Sequence, residues 1–164
     1  ANLTSSGHFG HLWGTSPVGR WTEETPWGLR PEGFASWIGA LTDPAALDRS
    51  LRLFAPSALG DTAFRRWYAR MLRHASSPRG TEALMRAHMA VDLRGQLGAI
   101  RVPTLVMNRR GDRLTPPAAA QCIAAGIPGA ELLLLDGDDH FPWIGDAAAV
   151  LAAVDGFSAR RSRS

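Results

Sequence analysis

Lysine is missing from this sequence: all 18 basic residues are arginine, and 15 acidic residues leave a formal charge of only +3. The arginines are scattered except for a short cluster at 159–164. No basic stripe can therefore track a phosphate backbone, and nucleic acid is not an expected partner. Cysteine is nearly missing. Cys122 alone excludes an internal disulfide, and among alanines it reads as a packed, inert thiol, which fits a reducing compartment such as the cytoplasm. Long apolar runs are missing as well: residues 131–136 and 147–154 fall far short of the ~20 residues a membrane helix needs, so no membrane partner is expected. Residues 1–10 show no basic cluster followed by an apolar stretch, the mark of a secretory signal.

What is present is the composition of a globular domain, 45% apolar and 20% charged over 164 residues. A chain of that size buries roughly 70% of the surface its unfolded form exposes, and disordered, collagen-like and coiled-coil classes do not fit. Residues 1–25 are rich in Gly, Ser, Thr and His without apolar periodicity and read as irregular. From Arg30 to about Val91 the pattern is one of short helices, at 32–41, 44–54, 62–74 and 80–90. Asp43 before Pro44 suits an N-cap and first helical position, and Asp61 is another cap. Phe64, Trp67, Tyr68, Met71 and Leu72 recur at spacings of three and four, with Arg65, Arg66, Arg70 and Arg73 on the other side.

After Ile100 the pattern changes to strand, helix, strand, helix. Residues 102–107 form a short β-prone run ended by the polar turn 108–112. Pro116 and Pro117 open a helix that Gly126 stops, residues 130–135 make a second strand, and a helix covers 145–157. The order predicts two parallel strands joined by a crossover helix and covered on both faces by helices. Two such strands make less than a sheet, so the expectation is the last part of a larger doubly wound domain.

In open α/β sheets functional side chains sit just beyond the carboxyl ends of the strands. Asp112 follows the first strand and His140 the second, which brings both loops to one rim. A carboxylate accepting from histidine Nδ1–H fixes the tautomer and stabilises the imidazolium formed when Nε2 takes a proton. Such a base serves a nucleophile, expected on an earlier strand-to-helix turn.

The stretches Arg101-Val-Pro-Thr-Leu-Val-Met-Asn-Arg-Arg-Gly-Asp112 and Leu135-Asp-Gly-Asp-Asp-His140-Phe-Pro-Trp-Ile-Gly-Asp146 resemble the acid and histidine motifs of α/β-hydrolases. The resemblance is nearest to hydrolase domains found beside adenylate or guanylate cyclases and regulators in actinobacteria. It reaches back through Arg94, the run Leu53-Phe-Ala-Pro56 and Pro26-Trp-Gly28, covering roughly residues 26–158. It implies an incomplete α/β-hydrolase fold in four parts: an irregular segment 1–25, a helical cap 26–100, a two-stranded parallel βαβα remnant 101–158 and a basic, frayed tail 159–164. Asp112 would be the triad acid and His140 the triad base, and the parent chemistry would be hydrolysis of ester-like carbonyl substrates through an acyl-enzyme.

The family places its nucleophile in a G-x-S-x-G elbow before the cap. This sequence has no such pentapeptide; Gly7-His8-Phe9-Gly10-His11 puts Phe9 where the serine stands, and Ser5, Ser6 and Ser16 lack the framework. The expectation is a truncated hydrolase, inactive alone, that takes a small-molecule substrate or a complementing hydrolase half and self-associates through an exposed sheet edge. The alternative is a noncatalytic interaction or ligand-sensing module. No cofactor or metal is expected. Asp136, Asp138 and Asp139 read as a solvated acidic turn, His8 and His11 as tail residues, and His74 and His88 as solvent-facing or cap contacts. Trp37 and Trp67 read as packing residues, while Trp27 and Trp143 stay open between packing and lining a pocket.

Overall fold

The computed structural model describes residues 22, 23, 25, 43–75 and 77–162. Nearly all of the segment 1–25, the expected helix at 32–41, and Trp27, Trp37, His8 and His11 lie outside them. Among the described residues four helices come first: α1 (Pro44–Phe54), α2 (Thr62–Ala75), α3 (Pro78–Met89) and the short α4 (Arg94–Leu97), with a 3-10 turn at Pro56–Ala58 after α1. Then follow β1 (Leu105–Arg109), α5 (Pro117–Gly126), β2 (Glu131–Leu135) and α6 (Ala147–Arg161).

Local chemistry explains the helix starts. The Asp43 carbonyl accepts the Leu47 N–H at 3.0 Å, so the ladder of α1 begins at the residue before Pro44, whose missing N–H is not needed there. Asp61 Oδ1 accepts the N–H groups of Ala63 and Phe64 at 2.8 and 3.0 Å, which satisfies two donors that a helix start leaves open. Asp146 does the same for α6 through Ala149, at 2.9 Å.

The apolar face of α2 buries Tyr68 and Leu72 against Ala46, Leu51 and Phe54 of α1 and Ala55 and Ala58 beyond it. Phe141, from the loop after β2, completes this core. Burying a side chain of that size stabilises by about 2–3 kcal/mol, so the histidine-bearing loop is tied to the helical block by hydrophobic burial. Within the core the Tyr68 hydroxyl meets Ser50 Oγ at 3.0 Å, and burial pushes its phenol up to about 12. Trp67 stands at the rim, 40% exposed, and stacks obliquely on Phe64 instead of filling the core. Trp67 is the residue next to Tyr68, so the helix turns it about 100° away from the face that buries Tyr68 and Leu72.

The two strands pair in parallel, Leu105 opposite Glu131 through Arg109 opposite Leu135. Three details differ from the sequence reading. The first strand starts later, because Pro103 has no N–H to donate, and it ends later, at Arg109. Gly126 is the last helical residue of α5, and the stop comes from the extended Ile127 after it. Leu132 and Leu133 are exposed, so β2 is not covered on both faces by the described residues. The expected frayed tail also begins helical: α6 runs to Arg161, and Arg160 and Arg161 grip Glu131 at 2.8 and 2.7 Å.

Candidate functional site

Backbone bonds that run past the paired strands hold the two rim loops together. Arg110 N–H donates to the Leu135 carbonyl at 2.9 Å and Gly111 N–H to the Gly137 carbonyl at 3.0 Å. A Cβ at Gly111 would lie 1.8 Å from Oδ1 of the exposed Asp138, whose side chain would have to swing away, and 3.2 Å from the Gly137 carbonyl, so glycine eases this approach. The chain then turns so that Asp112 follows directly.

Asp112 Oδ2 and His140 Nδ1 are 2.8 Å apart, with side chains 5% and 6% exposed. An ionised carboxylate can only accept, so the pairing places the proton on Nδ1 and leaves Nε2 as the basic nitrogen. The other oxygen of Asp112 accepts the N–H groups of Leu114 and Thr115 at 2.9 and 3.0 Å. The carboxylate is thus oriented by backbone before it meets the imidazole. The sequence placed these two residues at one rim from their position after parallel strands, and the structure brings them into contact.

The imidazole is held from the helical block. Phe54 at the end of α1 accepts both the His140 N–H at 2.9 Å and the Phe141 N–H at 3.2 Å on its carbonyl. Its ring meets the His140 ring edge to face, 5.5 Å between centroids at 88°. Trp143 stacks flat on Phe141 at 5.0 Å while remaining 52% exposed. It therefore borders the site from solvent.

The acidic turn divides in two. Asp136 and Asp138 are exposed as expected, but Asp139 is 4% exposed and pairs with Arg109, itself 5% exposed, at 3.4 Å. Ser57 in the 3-10 turn donates to Asp139 through its N–H at 3.0 Å and its hydroxyl at 2.8 Å. Sequence reasoning missed Arg109, Asp139 and Ser57. Arg109 is the last residue of β1 and sits in what the sequence offered as a polar turn, so nothing local marked it as buried beside a carboxylate. No group of three or more potential metal ligands occurs among the described residues, and no helix there is long and apolar enough to cross a membrane. His74 is exposed on α2, and Cys122 is half-buried on α5, away from the rim.

No family model matches the chain. It is 37% identical over 90 residues to a pimeloyl-acyl-carrier protein methyl ester esterase of Stenotrophomonas maltophilia, covering 55% of this chain and 35% of that one. It is 34% identical over 119 residues to the esterase of the same name from Xanthomonas campestris, covering 69% and 46%. Among solved structures, an esterase from Exiguobacterium antarcticum superposes with a TM-score of 0.71 at 21% identity, over 88% of this chain and 55% of that one. A bromoperoxidase from Bacillus anthracis gives 0.70 at 25%, over 86% and 54%. At the lower identity the likeness is one of fold. The chain spans between about a third and a half of the length of the curated relatives it matches.

Proposed function

Since the chain belongs to the α/β-hydrolase superfamily and carries part of its fold, we propose that it is the acid-and-histidine part of an esterase-type hydrolase. In this reading Asp112 holds the tautomer of His140, and His140 Nε2 takes the proton of an attacking hydroxyl as it adds to an ester carbonyl. The imidazolium then returns that proton to the leaving alcohol, and water repeats the cycle to release the acyl group. The hydroxyl comes from a complementing part of the hydrolase fold, whose strand adds beside β1, and residues 43–100 cap the small-molecule substrate. The kinship to cyclase-associated hydrolase domains rests on the sequence resemblance alone, because the curated relatives bear esterase and hydrolase names.

The 2.8 Å contact between two buried side chains at neighbouring parallel strand ends carries this reading. A surface ion pair would do without such burial, and the two further N–H groups, an ordinary turn contact of Asp, fix the direction in which the carboxylate meets the imidazole. Loss of the serine from such a triad costs about a million-fold in rate in subtilisin. The 164-residue chain alone is therefore expected to give no serine-type turnover of short-chain esters. Strong turnover that vanishes in His140→Ala would contradict the missing-nucleophile reading. The competing reading, a noncatalytic interaction module, gains from the exposed sheet. It predicts that Asp112→Ala leaves partner binding intact.

A further inference from the structure

We propose that Asp139 is a positioning residue for His140, and that it couples the histidine to the helical block through Ser57. The inference rests on the reading of Asp112 and His140 as an acid–base pair and extends it to how that pair is set.

Asp139 immediately precedes His140, and every contact of its carboxylate comes from another part of the fold. Oδ1 accepts the Ser57 N–H at 3.0 Å, and Oδ2 accepts the Ser57 hydroxyl at 2.8 Å. Oδ2 also meets Arg109 Nη1 of β1 at 3.4 Å. Arg109 in turn reaches the carbonyls of Asp139 and Asp146, at 3.5 and 3.3 Å, and so closes the loop on both sides of the histidine. Gly145 lines the same spot with φ +68°, and a Cβ there would stand 2.6 Å from Asp139 Oδ2.

Stability does not explain this arrangement. Desolvating two charges costs about as much as their attraction returns, so an apolar pair of similar volume would serve a merely structural purpose as well. What the charged pair supplies is direction. A carboxylate held by a guanidinium from the strand and by N–H and O–H from the 3-10 turn accepts one loop orientation. The peptide leading into His140 is then fixed on one side by Asp139 and on the other by the Phe54 carbonyl. The Phe54 carbonyl at the end of α1 and Ser57 in the turn after it both lie within residues 54–58, while Arg109 holds Asp139 from β1. Displacement of residues 54–58 from the sheet therefore disengages His140 Nδ1 from Asp112.

The test uses the full 164-residue chain with ¹⁵N-labelled histidine, the His140 signal being identified by its loss in His140→Gln. The readout is exchange of the Nδ1 proton with water, which needs no catalytic activity. Ser57 is exposed and on a turn, so Ser57→Ala keeps the fold, as near-ultraviolet circular dichroism will verify. The expected result is roughly tenfold faster exchange in Ser57→Ala, the equivalent of one hydrogen bond to a charged group, with recovery in Ser57→Thr. Asp139→Asn should be faster still; should its unpaired Arg109 unfold the chain, Ser57→Ala decides alone. Unchanged exchange in a folded Ser57→Ala overturns the inference while sparing the acid–base pair. Absence of a hydrogen-bonded Nδ1 proton in the parent chain overturns both.

Discussion

The Asp112 carboxylate faces two backbone N–H groups with one oxygen and an imidazole N–H with the other, so its replacement by Asn has a definite outcome. The Asn oxygen keeps the Leu114 and Thr115 N–H groups, and its NH₂ then faces His140 Nδ1. A donor facing Nδ1 drives the proton to Nε2, the wrong tautomer for a base. Asp112→Asn should invert the ¹⁵N shifts of the two His140 ring nitrogens. In a reconstituted hydrolase it should lower kcat by about ten-thousand-fold. Retention of the parent shifts would contradict the assignment of Nδ1 as donor. The chain has a single tyrosine, which makes another residue testable by absorbance alone. Burial raises the Tyr68 phenol to about 12 from 10.0. The folded state therefore holds its proton where the unfolded state has lost it. This contribution is full below pH 10 and disappears as pH rises through about 12. The urea midpoint should fall over that window in the parent chain and fall less in Tyr68→Phe.

Elements dock through few contacts, and each makes its own prediction. Arg160 and Arg161 at the end of α6 reach Glu131 at the start of β2, and the hydrogen bond from Arg160, followed by that from Arg161, holds its carboxyl below the usual range. A lowered folded-state value means stabilisation present above the ordinary glutamate range and lost as pH falls through the lowered one. Amide protection at the last turn of α6 should drop on acidification and on adding salt; insensitivity to both would show that Glu131 does not hold it. Phe141→Ala should cost about 3–5 kcal/mol in urea unfolding, because it empties the junction of loop and helical block. A loss below about 1 kcal/mol would mean that the loop is not packed there. How much of this the sequence disclosed depended on range. Pro44–Phe54 was legible at its start from Asp43 and Pro44, and Thr62–Ala75 from the Asp61 cap and the apolar face. Asp112 and His140 were legible because each follows an apolar strand. Asn108 and Arg109 read as a turn, since their strand partners and the carboxylate that neutralises Arg109 lie far along the chain. Asp139 was misread for the same reason: nothing near it in sequence distinguishes it from exposed Asp138.

At the scale of the whole molecule, the described residues form a sheet of two parallel strands. Thr104 accepts from Glu131 and Arg110 donates to Leu135, so alternate residues of β1 turn toward β2. Leu105 and Met107 therefore turn their backbone groups to the opposite edge, and Leu132 and Leu133 stay exposed on β2. Among the described residues no strand covers that edge, and such an edge beside apolar surface favours pairing with another chain. The 164-residue chain should elute with concentration-dependent size, and a compact monomer at every concentration would count against edge pairing. The central claim concerns the rim above that sheet, and proton resonance of the ¹⁵N-histidine-labelled chain tests it most directly. A downfield His140 Nδ1 proton, lost in Asp112→Ala while the Phe141–Tyr68 core stays folded, is the predicted result. A His140 ring that shows no such proton, or keeps it without Asp112, would contradict the account.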